Sequence, residues 1–110
     1  MKYKINSIKN NMKKDIFDAY AEAVADKFHL TLGEMYTKTR KREIVEARQM
    51  LYFLAQERPI RLSYIKRFMD ENGLPVEHST IVHGYKKAKA FVESDPDYKH
   101  ILEEIKNKVK

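Results

Sequence analysis

The densest chemistry in the chain lies between residues 77 and 87, in Glu77-His78-Ser79-Thr80-Ile81-Val82-His83-Gly84-Tyr85-Lys86-Lys87. On a helix with Ser79 as origin and about 100° per residue, Thr80, His83, Lys86 and Lys87 fall at roughly 100°, 40°, −20° and 80°. Ile81, Tyr85, Ala88 and Val92 fall at roughly 200°, 240°, 180° and 220°, on the opposite side. One face is apolar, and the other is built from hydroxyls, an imidazole and two lysines. Short donors and acceptors at a helix N-terminus reach base edges or phosphates when that end lies in a major groove. The plainer alternative is that Ser79 and Thr80 cap the helix and His83 is an ordinary exposed side chain.

A second concentration is Thr37-Lys38-Thr39-Arg40-Lys41-Arg42, with four cations, no acid and no apolar residue. Guanidinium groups suit phosphates and narrow minor grooves. Against this stands a solvated loop, with Arg42 paired to Glu46 at i+4 as a routine helix-surface contact. Enzymatic readings find no support. His78 and His83 are five residues apart, about 140° around a helix, and so do not form a two-ligand metal face. His29 and His100 lie far from them in sequence and read as surface residues. Neither a Gly-rich phosphate loop nor a G-x-S-x-G elbow occurs. The absence of Cys excludes a thiolate nucleophile, a disulfide scaffold and sulfur-ligated zinc. The expectation is a protein with no enzymatic activity, cofactor, metal or small-molecule substrate.

The elements that position these residues read as helices throughout. Ile16, Tyr20, Ala23, Val24 and Lys27/Phe28 recur at helical spacing and predict a first helix from Asp15. Thr31-Leu32-Gly33-Glu34 fits a capping box opening a short second helix, Leu32 to Tyr36. Glu43 to Glu57 is apolar on more than one side, as the central helix of a bundle should be, and Arg58-Pro59 ends it. Leu62 to Asp70 or Glu71 forms a fourth helix, broken by Asn72-Gly73-Leu74-Pro75. A fifth runs from His78 to about Glu93, and Asp95 with Pro96 caps a sixth that reaches about Lys108. Residues 62–87 therefore read helix, turn, helix, the arrangement whose second member enters a groove. The fold class is all-α: a small bundle of about six helices containing a helix-turn-helix with a preceding basic loop.

Composition agrees with one domain. The 110 residues carry 22 Lys or Arg against 16 Asp or Glu, a formal charge of +6, with 43% hydrophobic and 35% charged. These proportions fit a folded domain, not a disordered tail. Met50 to Ala55 is the longest apolar run, far short of the ~20 residues of a bilayer-spanning helix, and residues 1–6 lack a secretory signal. No membrane association is expected, and the cytoplasm is the default compartment. Residues 1–14 hold five lysines and no acid. They read as a poorly ordered basic arm with Tyr3, Ile5 and Ile8 as docking candidates, followed by one domain over 15–110.

The residues Lys38 to Arg42, then Ala47-Arg48-Gln49-Met50-Leu51-Tyr52-Phe53-Leu54, then Glu77 to Gly84, resemble the C-terminal DNA-binding domain (domain IV) of the bacterial replication initiator DnaA. The likeness runs from about residue 16 to 106. It implies double-stranded DNA as partner, short asymmetric DnaA-box sites, a role in replication initiation or its regulation, and an association with the nucleoid. By the resemblance, Arg40 would enter the minor groove, Arg48 would contact the backbone or a nearby base, and His78, Ser79, Thr80 and His83 would read the major groove. Lys87 would meet phosphate. Lys38, Lys41, Arg42 and Lys86 complete the candidate surface, with Glu77 standing where the family has Asp. The segment Met69 to Val76 is longer than the family's turn, and Glu43 and Glu46 bring negative charge beside the loop. The initiator's ATPase module has no counterpart, so the expectation is a fragment or a small stand-alone protein. Other replication or regulatory proteins are further candidate partners. The competing expectation is a protein-binding module of the same fold that has lost specific DNA binding.

Overall fold

The structure, a computed structural model, describes residues 2–109, with side chains from residue 12 onward. Six helices follow in order among them: α1 Lys2–Lys27, α2 Leu32–Met35, α3 Arg42–Glu57, α4 Leu62–Glu71, α5 His78–Ser94 and α6 Pro96–Lys108. No strand occurs among the described residues. The first helix begins well before Asp15, its helical backbone continuing through the segment read as an arm. The order expected of residues 1–14, and the docking of Tyr3, Ile5 and Ile8, fall largely on side chains outside the described residues.

Helix ends are set by local chemistry. At α2 the Glu34 N–H donates to Thr31 Oγ1 at 3.1 Å and the Thr31 N–H to Glu34 Oε1 at 3.0 Å, the reciprocal pair of a capping box. The Asp95 carboxylate accepts from the N–H groups of Asp97 and Tyr98, with Pro96 at the first helical position. Two helices end in the same way. After α4, the Leu74 N–H donates to the Met69 carbonyl and the Gly73 N–H to the Asp70 carbonyl, both at 3.0 Å, with Gly73 at φ 88°. This is a Schellman termination, and the buried side chains of Leu74 and Met69 supply its apolar contact. After α1, the N–H groups of Leu30 and His29 bond the carbonyls of Ala25 and Asp26, but the left-handed position at φ 58° is held by His29. A Cβ is disfavoured there. His29→Gly is therefore expected to stabilise the fold by about 0.5–1 kcal/mol, read as a thermal midpoint a few degrees higher by calorimetry. An unchanged midpoint would count against backbone strain at this position.

The bundle is organised on α3, which packs on each of the other five helices and most extensively on α5. Ile44, Ala47, Met50, Leu51, Phe53, Leu54 and Ala55 are buried along it, which is why its sequence is apolar on more than one side. Phe17 and Phe68 meet at the centre with ring centroids 5.4 Å apart. Burying each such side chain contributes about 1.5–3 kcal/mol, so this core holds the helices in place. No charged side chain is buried among the described residues. At the rim, Lys27 of α1 donates to Glu104 of α6 at 2.7 Å, and this hydrogen bond holds the Glu104 carboxyl below its ordinary range. Among the described residues no helix is long and apolar enough to cross a membrane.

Candidate nucleic-acid interface

Helices α4 and α5 form the helix-turn-helix. Met69, Asp70 and Glu71 belong to α4, so the connection that looked long in sequence shortens to residues 72–77. Its path is fixed by the Schellman bonds and by Asn72 Nδ2 donating to the Phe68 carbonyl at 2.8 Å. Leu74 is buried, and the turn thereby has a seat in the core.

On α5, Ile81 and Ala88 are buried while Tyr85 and Val92 are half-buried, as the spacing predicts. Glu77, His78, Ser79, Thr80, His83, Lys86 and Lys87 are all exposed. The N-cap is Glu77, and its side chain makes no capping hydrogen bond. Ser79 and Thr80 thus lie inside the first turn and do not cap it, which removes the plainer account of these two hydroxyls. The first N–H groups of α5 keep no side-chain acceptor of their own, a setting that favours an anion.

Gly84 had no role in the sequence reading, yet it sets how closely α5 lies on α3. A Cβ built there would come within 2.6 Å of Tyr52 Cδ2, 3.2 Å of Cε2 and 3.4 Å of Gln49 Cγ. Tyr52 is buried, so its ring has little room to give. The signal was present in the sequence: a glycine inside a helical pattern often marks close approach of another element. Burial pushes the Tyr52 hydroxyl up to about 12, against a smaller opposing effect of Arg48, and so keeps the phenol neutral.

The basic loop, residues 36–41, lies between α2 and α3. Lys38, Arg40 and Lys41 are exposed and make no ion pair among the described residues. Arg42 instead opens α3 and its Nε donates to Glu46 Oε1 at 3.0 Å, the surface pair foreseen as its alternative. Glu46 is thereby answered, but Arg42 is drawn away from the open cations.

Arg48 stands apart from the other cations. It is half-buried, with Nε donating to the Met35 carbonyl at 2.7 Å, one terminal nitrogen donating to the Thr39 carbonyl at 3.2 Å and the other to the Thr37 carbonyl. Burial pulls its pKa down from the ordinary value, although an arginine stays charged in a protein. Three of its five N–H groups are engaged in this way, on the last residue of α2 and on two carbonyls of the loop. The resemblance gives Arg48 a contact with the DNA backbone or a nearby base; its ties to residues 35, 37 and 39 are not readable in sequence, because they depend on where α2 leaves the chain.

Loop, turn and α5 enclose one open cleft of about 840 Å³. Its lining brings together Lys38 and Arg40 of the loop, Thr80 and His83 of α5, and the apolar side chains of Val45, Tyr52, Leu74 and Val76. Five of the sequence-selected residues (Lys38, Arg40, Arg48, Thr80 and His83) line it. Ser79, His78, Lys86 and Lys87 lie elsewhere on the exposed surface of α5, and Lys41, Arg42 and Glu77 also lie outside the lining. The apolar lining is not foreseen in the sequence, where Leu74 and Val76 read as turn residues and Val45 has no role. Nothing in the described residues groups three or more His, Cys, Asp or Glu side chains as a metal site would.

Comparison with known proteins agrees with this architecture. The family model described as "Bacterial dnaA protein helix-turn-helix" matches residues 18–88. Chromosomal replication initiator proteins DnaA are similar over most of the chain. That of Flavobacterium psychrophilum is 30% identical over 103 residues, covering 90% of this chain and 20% of the relative. That of Bacteroides thetaiotaomicron is 30% identical over 104 residues, covering 94% and 21%. That of Streptococcus pyogenes serotype M1 is 34% identical over 98 residues, covering 81% and 19%. The chain thus spans about a fifth of the length of these relatives. The matched residues take in the basic loop, the helix-turn-helix and the α3 platform beneath both, and the chain belongs to the bacterial DnaA helix-turn-helix family, the C-terminal DNA-binding domain of the replication initiator.

Proposed function

We propose that this chain is a non-enzymatic domain that binds double-stranded DNA at DnaA-box-like sites, in replication initiation or its regulation, and is held on the nucleoid by that binding. The observation that carries the reading is the cleft: loop cations that make no ion pair among the described residues line the same cavity as hydroxyl and imidazole side chains of a helix whose N-cap side chain makes no capping bond. In this reading His78, Ser79, Thr80 and His83 read base edges in the major groove. Arg40 enters the adjacent minor groove, where guanidinium binding is favoured by the deeper negative potential of narrow segments. Lys38, Lys41, Lys86 and Lys87 neutralise phosphates. Glu77, at the helix N-cap, accepts from a cytosine amino group.

The experiment is a titration of the purified domain with a DnaA-box duplex and a scrambled duplex over a range of salt. With about six phosphates neutralised, log K falls against log salt with a slope near −5, and the box duplex binds more tightly than the scrambled one. Equal and weak binding to both would overturn the proposal in favour of a protein-docking role. Within the same assay Lys87→Ala should weaken both duplexes alike and flatten the salt slope by about one, as loss of a single phosphate contact does.

A further inference from the structure

Three features of the molecule compete for a role beyond the reading above: the apolar lining of the cleft, the aromatic and cationic cluster of Lys13, Tyr64 and Arg67, and the half-buried Arg48. The lining belongs to the site already described. The cluster holds Lys13 Nζ at 4.5 Å and the Arg67 guanidinium carbon at 5.6 Å from the Tyr64 ring centroid, so its partners are already within the chain. Arg48 carries the argument furthest.

We infer that Arg48 is a positioning residue which fixes the basic loop in its DNA-competent shape before DNA arrives, and that it is not itself a DNA ligand; the inference deepens the proposed DNA-binding reading and rests on it. Three carbonyls at alternate positions, Met35, Thr37 and Thr39, converge on one guanidinium. They bracket Lys38 and immediately precede Arg40. Fixing every second carbonyl leaves Lys38, which lies between two of them, little freedom, and it anchors the residue from which Arg40 departs, so both side chains line the cleft from a loop that samples few conformations. The loop has few other ties. Thr37 Oγ1 donates to the Gly33 carbonyl at 2.5 Å, and the Lys41 N–H donates to Thr39 Oγ1 at 3.3 Å. The second closes a turn around Arg40, but at the long end of hydrogen-bond distance. Loop ordering is a cost that binding must otherwise meet, and a loop ordered beforehand removes it. The planar guanidinium offers five N–H donors in a fixed fork, whereas an ammonium is a single point with three. A lysine at this position keeps the charge but cannot span carbonyls at 35, 37 and 39 together.

That difference separates the inference from a direct phosphate contact. Arg48→Lys and Arg48→Ala are compared with the wild-type chain, first without DNA. Limited trypsin digestion mapped by mass spectrometry should show cleavage after Lys38, Arg40 or Lys41 accelerated about tenfold or more in both variants, because losing charge-assisted hydrogen bonds opens the loop. Thermal melting followed by far-ultraviolet dichroism reports whether each variant still folds. On the DnaA-box duplex, Arg48→Lys should lose as much affinity as Arg48→Ala. Adding either to Arg40→Ala should weaken binding little further, since the residue acts through the loop. A variant that retains wild-type loop cleavage, or an Arg48→Lys that keeps wild-type affinity, would overturn the assignment. Additive losses with Arg40→Ala would do the same. Should both variants fail to fold, the wild-type protein still decides by nuclear magnetic resonance of its arginine Nε–H groups. The Arg48 signal should be protected from exchange in the free protein and unmoved by DNA, and an exposed signal that shifts on titration would refute the assignment. Failure of the DNA-binding proposal itself would appear separately, as wild-type protein that protects its loop from trypsin yet does not distinguish the duplexes.

Discussion

Replacing Arg40 and His83 together with alanine should strip the domain of a large part of its preference for a DnaA-box duplex over a scrambled one. Each side chain is expected to supply about 1–3 kcal/mol on the specific site. They stand on different elements, the loop and α5, and both line the cleft. Contributions from separate elements without a shared partner add, so the pair is expected to cost about 2–6 kcal/mol. A specific site exceeds non-specific binding by about 4–10 kcal/mol, and the double variant therefore loses a large part of that margin. What survives is the share carried by His78, Ser79 and Thr80, together with the sequence-independent pull of Lys38, Lys41, Lys86 and Lys87 on phosphate, with its salt dependence intact. Fluorescence anisotropy on both duplexes at one fixed salt concentration checks this. A double variant that keeps the full wild-type preference for the box duplex would place the reading surface elsewhere. Both residues are exposed, so the change should leave the thermal midpoint within a degree or two.

Gly84→Ala should have the second large effect, and through stability as well as binding. The added methyl would sit 2.6 Å from the edge of a buried ring, which forces either Tyr52 or the whole of α5 to move. Overpacking of this kind costs about 1–3 kcal/mol, offset in part by the roughly 1 kcal/mol by which alanine is the better helix former. The binding loss should exceed the stability loss, because α5 carries His78, Ser79, Thr80 and His83 and shifts as one body. Chemical denaturation gives the first quantity and anisotropy the second. Tyr52→Leu removes the ring, and Gly84→Ala should then cost measurably less than in the wild-type background. Equal costs in the two backgrounds would show that the ring is not the obstacle.

Much of this was legible in the residues. The capping box at Thr31 and Glu34, the Asp95-Pro96 start of α6 and the Gly73 stop of α4 are local events, decided within a turn of chain, and each formed as its residue types require. The division of α5 into a core face and a polar face was likewise readable, because 3.6-residue periodicity is a record of burial. The same reasoning explains where it failed. Periodicity reports packing, so it located α1 only from Ile16 onward, while the helical backbone starts at Lys2. Arg48 and Gly84 could not be assigned from spacing. The partners of the first are backbone carbonyls that any sequence has, and the partner of the second is a ring on another helix. Arg42 shows the same limit from the other side. Its i, i+4 pairing with Glu46 was readable, but whether it or the loop cations would stay open depended on where α3 began.

Arg48 and Tyr52 are one helical turn apart on α3; the loop hangs from the first, and α5 rests on the second. On the proposed reading, the span from the loop that enters the minor groove to the helix that enters the major groove is thus a dimension of one stiff rod, like the jaws of a gauge set at a single opening. A duplex whose groove widths differ from that opening has to be the partner that deforms, and bending a short site by 40–90° costs about 1–6 kcal/mol depending on its sequence. Base pairs beneath the cleft that touch no side chain will therefore weigh on affinity through their stiffness. Exchanging them for more flexible steps should tune binding without altering a single contact.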